Sequence, residues 1–371
     1  MAVGIVCEFN PLHNGHLYLI NKVKEMYDED IIVILGGNFL ERGNLSIIEK
    51  YDKALLALNH NVSLVVELPF GFATSSSDIF AKGAVKLLNE LKVDKIVFGS
   101  EEGKLDNLEK CARTQIENKE YDSLVKKYMD QGENYPTSMN KALKELVGLE
   151  ITKPNDLLGL SYIKEIIKNN YPIKPITIKR TNDYHDTTLD NEIVSADSIR
   201  NAIKEKKDIN KYVPSDVTKY ITDIDLDKKY FMLLKYKIIN EKDLSIYLDV
   251  DEGIDKRIKT VISKSNSLDE LINNIKTKRY TYNKIARMLI HILCSYTKEE
   301  NNNLDINYIK VLGLNSNGKK YLNGIKKEVS IKIITSVNKD DYELLSKDVE
   351  RDKIYYLITN DHTPKKCIIK D

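Results

Sequence analysis

Residues Gly4 to Ile20 read GIVCEFNPLHNGHLYLI, and the order of residue types within them predicts a strand, a turn and a helix in succession. Val3 to Val6 is a short apolar run of strand composition, broken at Asn10-Pro11 by a turn that ends in His13-Asn14-Gly15-His16. Leu17, Leu19, Ile20 and Val23 then recur at roughly helical spacing, which puts both histidines at the mouth of the helix after the first strand. Two imidazoles three positions apart on a first helical turn point the same way. The helix end adds free N–H groups and the positive end of its dipole. Gly15 leaves room for a phosphate chain close to the backbone. His13 and His16 are then placed to donate hydrogen bonds to oxygens that gain charge when the alpha phosphorus of ATP is attacked. Taken alone, the spacing also fits one surface histidine and one half-buried cap. The strand before it and the apolar helix after it favour a nucleotide site.

The chain has 371 residues, long enough for two domains, and its 42% hydrophobic content can fill proper cores. Lys and Arg total 57 against 56 Asp and Glu, a formal net charge of +1. Any nucleic-acid contact must therefore come from a local basic patch rather than bulk charge. Cys7, Cys111, Cys294 and Cys367 are far apart and form no Cys-x-x-Cys pair. That argues against a zinc site or disulfide framework and fits a reducing, cytoplasmic setting. Cys7 reads as a small buried filler rather than a nucleophile. There is no basic leader and no apolar run of membrane-spanning length, so a soluble, unprocessed protein with no membrane partner is expected.

Further strands are expected at Ile31–Leu35, Leu64–Leu68, Asp94–Phe98 and Ile173–Ile178, with helices between them, which gives an α/β doubly wound layer. Ligands of such sheets lie outside the carboxyl ends of the strands. There the sequence places Gly36-Gly37-Asn38-Phe39 with Arg42-Gly43, the loop Phe70–Ser77, Gly99-Ser100-Glu101, Lys179-Arg180 and Ser195-Ala196-Asp197-Ser198-Ile199-Arg200. Arg42 can reach a phosphate or a carboxylate as a fork. Phe70 and Phe72 fit either a pocket wall or packing. Residues 103–170 read as a helical insertion, with a helix over about 105–127, a break near Gly132 to Pro136 and a second helix to about Val147. Asn155 follows Pro154 and can cap the next helix or bind ligand.

These motifs together resemble the tRNA(Met) cytidine acetate ligase family within the HxGH nucleotidyltransferase superfamily. The matches run over most of the chain: Gly4 to Leu19, Asn38 to Gly43, Glu67 to Pro69, Phe98 to Glu101, Pro154-Asn155, Arg180, Ser195 to Arg200 and Lys278 to Thr281. The resemblance implies a Rossmann-like nucleotidyltransferase domain over residues 1–200 and a mainly α-helical, tRNA-binding domain over 201–371. It implies ATP contacts from Cys7, Glu8, Phe9, Asn10, Pro11, Leu12, Asn14, Gly15, Leu17, Tyr18, Leu19 and Ile20. Gly99, Asn155, Arg180, Ser195 and Arg200 would complete the ATP site, with His13, His16 and Arg180 in catalytic roles and Mg²⁺ carried by the nucleotide. Gly37, Asn38 and Arg42 would form a substrate loop. The implied reaction makes acetyl adenylate and pyrophosphate from acetate and ATP, then acetylates N4 of the wobble cytidine of elongator tRNA(Met). No obligate protein partner is evident.

Two positions depart from the family pattern: Glu41 stands in place of glutamine and Asp197 in place of threonine. Glu41 would repel an anion and is left out of the site, while Asp197 is acceptable as a helix cap. His185, within Tyr184-His185-Asp186, reads either as a residue near the phosphate clamp or as a polar loop side chain.

After residue 201 strand signals largely disappear. Helices are expected at Asp223–Asn240, Leu244–Val250, Ser267–Asn274 and Ile285–Cys294, and a helical turn over Val311-Leu312-Gly313 with Gly318 to Leu322. The tail reads as two short helices, Tyr342–Val349 and Lys353–Ile358. Lys278, Arg279, Tyr280, Lys284 and Arg287 mix basic and aromatic side chains near a helix start, a composition suited to an RNA backbone and an unpaired base. They equally fit a solvated helix entry with inward tyrosines. Two competing readings of the whole are a small-molecule adenylyltransferase and a noncatalytic RNA-binding protein built on the nucleotide fold.

Overall fold

The computed structural model describes residues 1–180, 193–222, 225–277, 280–361, 363 and 365–371. Each apolar run of the first hundred residues is a strand: β1 (Ala2–Cys7), β2 (Asp30–Gly36), β3 (Leu64–Leu68) and β4 (Lys95–Ser100). Between them lie α1 (Asn14–Met26), α2 (Lys50–Asn59), the single turn α3 (Phe70–Ala73) and α4 (Ser77–Glu90). Helical crossovers make the pairing parallel, in the order β5-β4-β1-β2-β3 once β5 (Lys174–Lys179) has joined beyond β4. One face of the sheet packs Ile32, Ile34 and Val66 against Phe80, Ala84 and Leu88 of α4. The other packs Ile5, Val33 and Leu35 against Ile20 and Val23 of α1. Burial of each such side chain contributes about 1.5–3 kcal/mol, which is why these strands read as continuous apolar runs.

The insertion before β5 contains α5 (Leu105–Glu117), α6 (Tyr121–Asp130), α7 (Tyr135–Val147) and α8 (Pro154–Asn169). The helix expected over 105–127 is thus two helices. Asn118 ends the first by accepting the Glu120 N–H at 2.9 Å through its side chain, a local alternative to continuing the helix.

The C-terminal region is mainly helical: α9 (Ala196–Lys204), α10 (Leu226–Asn240), α11 (Ile254–Val261), α12 (Leu268–Ile275), α13 (Tyr282–Leu293) and α14 (Lys298–Asn302). Its helices from α10 to α13 build a second core, in which Leu234 and Ile238 meet Leu271, Ile285 and Leu289 and which Phe39, Leu45 and Phe70 join, while Ile199 and Ala202 of α9 belong to the core of the sheet. Leu244–Val250 is a run of turns rather than a helix, because the Asp243 carboxylate takes the Ser245 N–H and hydroxyl and Asp249 adopts φ 67°.

The chain then returns to the sheet. β6 (Tyr308–Asn315) pairs antiparallel with β3, so Val311-Leu312-Gly313 is strand, with the buried pattern of an interior strand, and only Gly318 to Leu322 of the expected helical turn is helical. α15 (Ser316–Ile325), β7 (Lys332–Ile334), α16 (Lys339–Thr359) and β8 (Ile368–Lys370) follow, and both short strands pair with β6. The two short helices expected in the tail are one helix of 21 residues. Arg351 and Asp352 interrupt its apolar pattern because they face inward, into ion pairs. Among the described residues no helix is long and apolar enough to cross a membrane.

Candidate active site

Past β1 the chain turns through Phe9, at φ 46°, and reaches His13, the N-cap of α1. His13 Nδ1 accepts the Gly15 N–H at 3.0 Å, and His16 Nδ1 accepts the His13 N–H at 3.3 Å. The rings lie 3.8 Å apart, with Phe9 edge-on to His16 at 5.0 Å. Because each Nδ1 is an acceptor, the hydrogen-bond network assigns the proton of each neutral ring to Nε2. Burial, the His16 ring, and then Arg180 and Arg200 hold His13 well below the ordinary histidine range. Burial, and then Arg180, lowers His16 to about 3. The pair is therefore two neutral Nε2–H donors.

This carries a pH dependence. His291 is also lowered to about 3, by burial, against the pull of the hydrogen bond its Nε2 donates to the Thr74 carbonyl at 3.1 Å. A histidine whose folded pKa is depressed stabilises the fold fully above its unfolded pKa of about 6.5 and loses that contribution as pH falls toward the folded value. His16 and His291 together are expected to remove about 3 kcal/mol by pH 5.5. Urea midpoints at pH 7.5 and 5.5 check this, and an unchanged midpoint refutes it.

Arg180 follows β5 directly and lies across from Gly99 of β4, where an added Cβ would sit 3.3 Å from Arg180 Cγ. Its Nε is buried with no hydrogen-bond partner among the described residues, and burial lowers its pKa against the pull of Glu101. A half-buried guanidinium with its Nε unbonded among the described residues, beside neutral imidazoles, is arranged to receive an anion. Asn155 does not cap α8. Glu101 does, accepting the N–H groups of Asn155 at 3.3 Å and Asp156 at 3.1 Å, and also the Asn155 side-chain amide at 2.7 Å.

The N-cap of α9 is Ser195, which accepts the Ser198 N–H at 3.1 Å; Asp197 is in the first turn and not at the cap. Arg200 donates to the Asn10 carbonyl at 2.6 Å, tying α9 to the histidine turn, and burial lowers it to about 10. Asn14 Nδ2 donates to the Lys211 carbonyl at 2.9 Å. Burial raises the Cys7 thiol, in keeping with a filler role. Tyr184, His185 and Asp186 lie outside the described residues, as do Lys278 and Arg279.

In the loop after β2, Asn38 is buried and both ends of its amide are engaged. The oxygen accepts the Lys50 N–H and the nitrogen donates to Asp352, each at 3.0 Å. Asn38 therefore holds the loop rather than offering its amide to a substrate. Below it Lys50 of α2 pairs with Glu67 of β3 at 2.7 Å and with Asp352 of α16, and Lys310 of β6 pairs with Glu67 at 2.9 Å. Burial opposes ionisation of Glu67, yet the two ammonium groups overcome it and pull its pKa down to about 2. Lys53, fully buried and lowered to about 8 by burial, donates to the carbonyls of Glu8, Gly36 and Gly37 at 2.7–2.8 Å. It clamps the ends of β1 and β2 together. Lys50, Lys53, Lys310 and Asp352 were not among the expected residues; for the first two the available signal was a pair of lysines three apart at the head of a helix that continues through Ala54 to Leu58.

Glu41, expected to repel an anion, has its charge answered elsewhere: its carboxylate meets Arg287 of α13 at 3.3 Å, and its N–H donates to Glu8 at 2.7 Å. Gly43 brings the loop onto α13. At φ 78° an added Cβ would come within 2.3 Å of the Ala286 carbonyl carbon. Arg287, expected on an RNA-facing patch, is thus committed to the loop. Tyr280 is buried, its hydroxyl donates to the Asp251 carbonyl at 3.2 Å, and Lys284 Nζ lies 4.6 Å from its ring centroid. In this conformation Tyr280 presents no ring for stacking. Among the described residues no group of three or more His, Cys, Asp or Glu side chains is placed to hold a metal ion.

The arrangement has counterparts. Residues 1–368 match the family model described as HIGH Nucleotidyl Transferase. The tRNA(Met) cytidine acetate ligase of Geobacillus sp. strain WCH70 is 38% identical over 91% of this chain and 89% of its own length. That of Clostridium acetobutylicum is 38% identical over 97% of this chain and 96% of its own. The crystal structure of apo Thermotoga maritima TmcAL superposes with TM-score 0.90 at 27% identity, covering all of both chains. The same protein bound with alpha-thio ATP gives 0.87 at 25% identity, again over all of both chains. A neutral histidine pair at the head of the first helix, on a parallel sheet that continues into a helical C-terminal region, together with near-full-length identity above 30%, places this chain in the tRNA(Met) cytidine acetate ligase family of HIGH nucleotidyl transferases.

Proposed function

We propose that the protein activates acetate with ATP, releasing pyrophosphate, and transfers the acetyl group from acetyl adenylate to N4 of the wobble cytidine of elongator tRNA(Met). The observation that carries this reading is the His13–His16 pair, His13 buried and His16 half-buried, whose Nε2–H groups stay neutral and poised as donors beside Arg180. When acetate oxygen attacks the alpha phosphorus, the bond to the beta-phosphate oxygen breaks and charge grows on the phosphoryl oxygens. Fixed neutral donors in a buried site stabilise that charge without reorganising. Arg180 and Arg200 offset the triphosphate. Mg²⁺ carried on the phosphates would screen the remainder and needs no cage of protein ligands. The cytidine amine then attacks the acetyl carbonyl, AMP leaves, and the amine gives up a proton. Positioning and a good leaving group drive this half.

In this reading residues 1–200 carry adenylation and the helical part of 201–371 holds the tRNA. A cytoplasmic site of action fits that substrate. The test is incubation with ATP, Mg²⁺ and radiolabelled acetate, with and without unmodified elongator tRNA(Met). Label on the wobble cytidine, dependent on ATP, is the expected result. Pyrophosphate release without label in RNA would retain adenylation and reject the acceptor. Neither product would reject the enzyme.

A further inference from the structure

Asp197 joins two arginines from separate walls of the site. Its carboxylate accepts from Arg42, in the loop after β2, at 3.0 Å, and also from Arg200, one turn further along α9. The Arg42 and Arg200 side chains are 31% and 17% exposed, and that of Asp197 is 42% exposed. Arg200 is fixed from behind by the Asn10 carbonyl, in the turn that presents His13 and His16. Two forked cations that converge on one flat O–C–O group form a carboxylate or phosphate receptor, because bidentate geometry selects such anions. Glu8 also acts on the Arg200 charge and Glu41 on that of Arg42, so an entering anion takes the receptor by displacing the Asp197 carboxylate.

We propose that Asp197 is a built-in competitor: its carboxylate occupies the Arg42–Arg200 receptor in the free protein and yields it to an anionic oxygen of the substrates. The inference rests on the adenylation reading and adds a specificity-determining residue to it. The incoming oxygens belong either to a phosphate of ATP or to the carboxylate of acetate. A plain alternative exists. An aspartate in a first turn stabilises its helix through the dipole, by about 0.3–1 kcal/mol. That role lowers stability when lost and gives no reason for tighter ligand binding.

The experiment is calorimetric titration of the full-length protein and of Asp197→Asn with Mg-ATP and, separately, with acetate. Asp197→Ser serves as a second variant, and thermal midpoints are recorded for each. Two part-exposed ion pairs lost together correspond to about 3- to 10-fold in affinity. Both variants are expected to bind one ligand tighter by that factor. A gain for Mg-ATP identifies a phosphate as the displacing group, and a gain for acetate identifies its carboxylate. Adding Arg42→Ala to Asp197→Asn is expected to abolish the gain. Unchanged or weaker binding of both ligands, with a lowered thermal midpoint, overturns the inference and leaves the helix-end role, with the adenylation reading intact. A wild-type protein that binds no Mg-ATP rejects that reading and this inference with it.

Discussion

Replacing His16 with alanine is expected to lower the rate of acetyl adenylate formation by about 10²–10³-fold, the usual cost of one preorganised donor to a developing oxyanion. Affinity for ATP should change far less, because a donor aimed at transition-state charge contributes little to ground-state binding. The alanine also removes the acceptor for the His13 N–H, half of a reciprocal cap. That loss costs about 0.5–2 kcal/mol of stability. His16→Asn separates the two effects, since its side chain supplies both an acceptor and a donor. Pyrophosphate release in single turnover, with ATP binding measured alongside, is the check. Loss of less than about threefold by His16→Ala would remove His16 from the chemistry, against the factor quoted above.

Asp352→Ala is expected to destabilise the fold by about 3–5 kcal/mol, as breaking one member of a buried ion network does. Lys50 and Lys310 would share Glu67 alone, leaving one buried positive charge unmatched. The Asn38 amide would lose its acceptor, and with it the restraint on the loop that carries Arg42. The expected readouts are a lower urea midpoint and a raised KM for substrate in the fraction that remains folded. Lys50→Met with Asp352→Leu, which empties one cation and one anion together, should cost less than either change alone. A change below about 1 kcal/mol for Asp352→Ala would show that the network is not acting as a unit.

The parallel layer was legible because its strands are buried on both faces and so carry unbroken apolar runs, as at Ile31 to Leu35. The histidine turn was legible because strand, Asn-Pro and helix follow one another within seventeen residues. What escaped was chemistry between distant segments. Lys50, Lys310 and Asp352 look like surface charges in any local window, and each is buried only because the others arrive from elsewhere. The same cause merged the tail into one helix, since inward-facing Arg351 and Asp352 disrupt the apolar period from which helices are read. The partner that answers the Glu41 charge was not legible locally, because Arg287 lies 246 residues further along the chain. Tyr280 was a matter of facing, which composition does not encode.

The pairing of β6 with β3 sets an order of events in the making of this protein. About 240 residues separate Glu67 from its partner Lys310, and ribosomes add roughly 5–20 residues each second. For some 10–50 s at that pace, the nascent chain holds a strand edge without its neighbour and Lys50 and Glu67 without their remaining partners, Lys310 and Asp352. The loop that carries Arg42 gains its anchor only when Asp352, 314 residues beyond Asn38, has been made. An unfinished copy thus lacks the parts that hold its nucleotide end in shape.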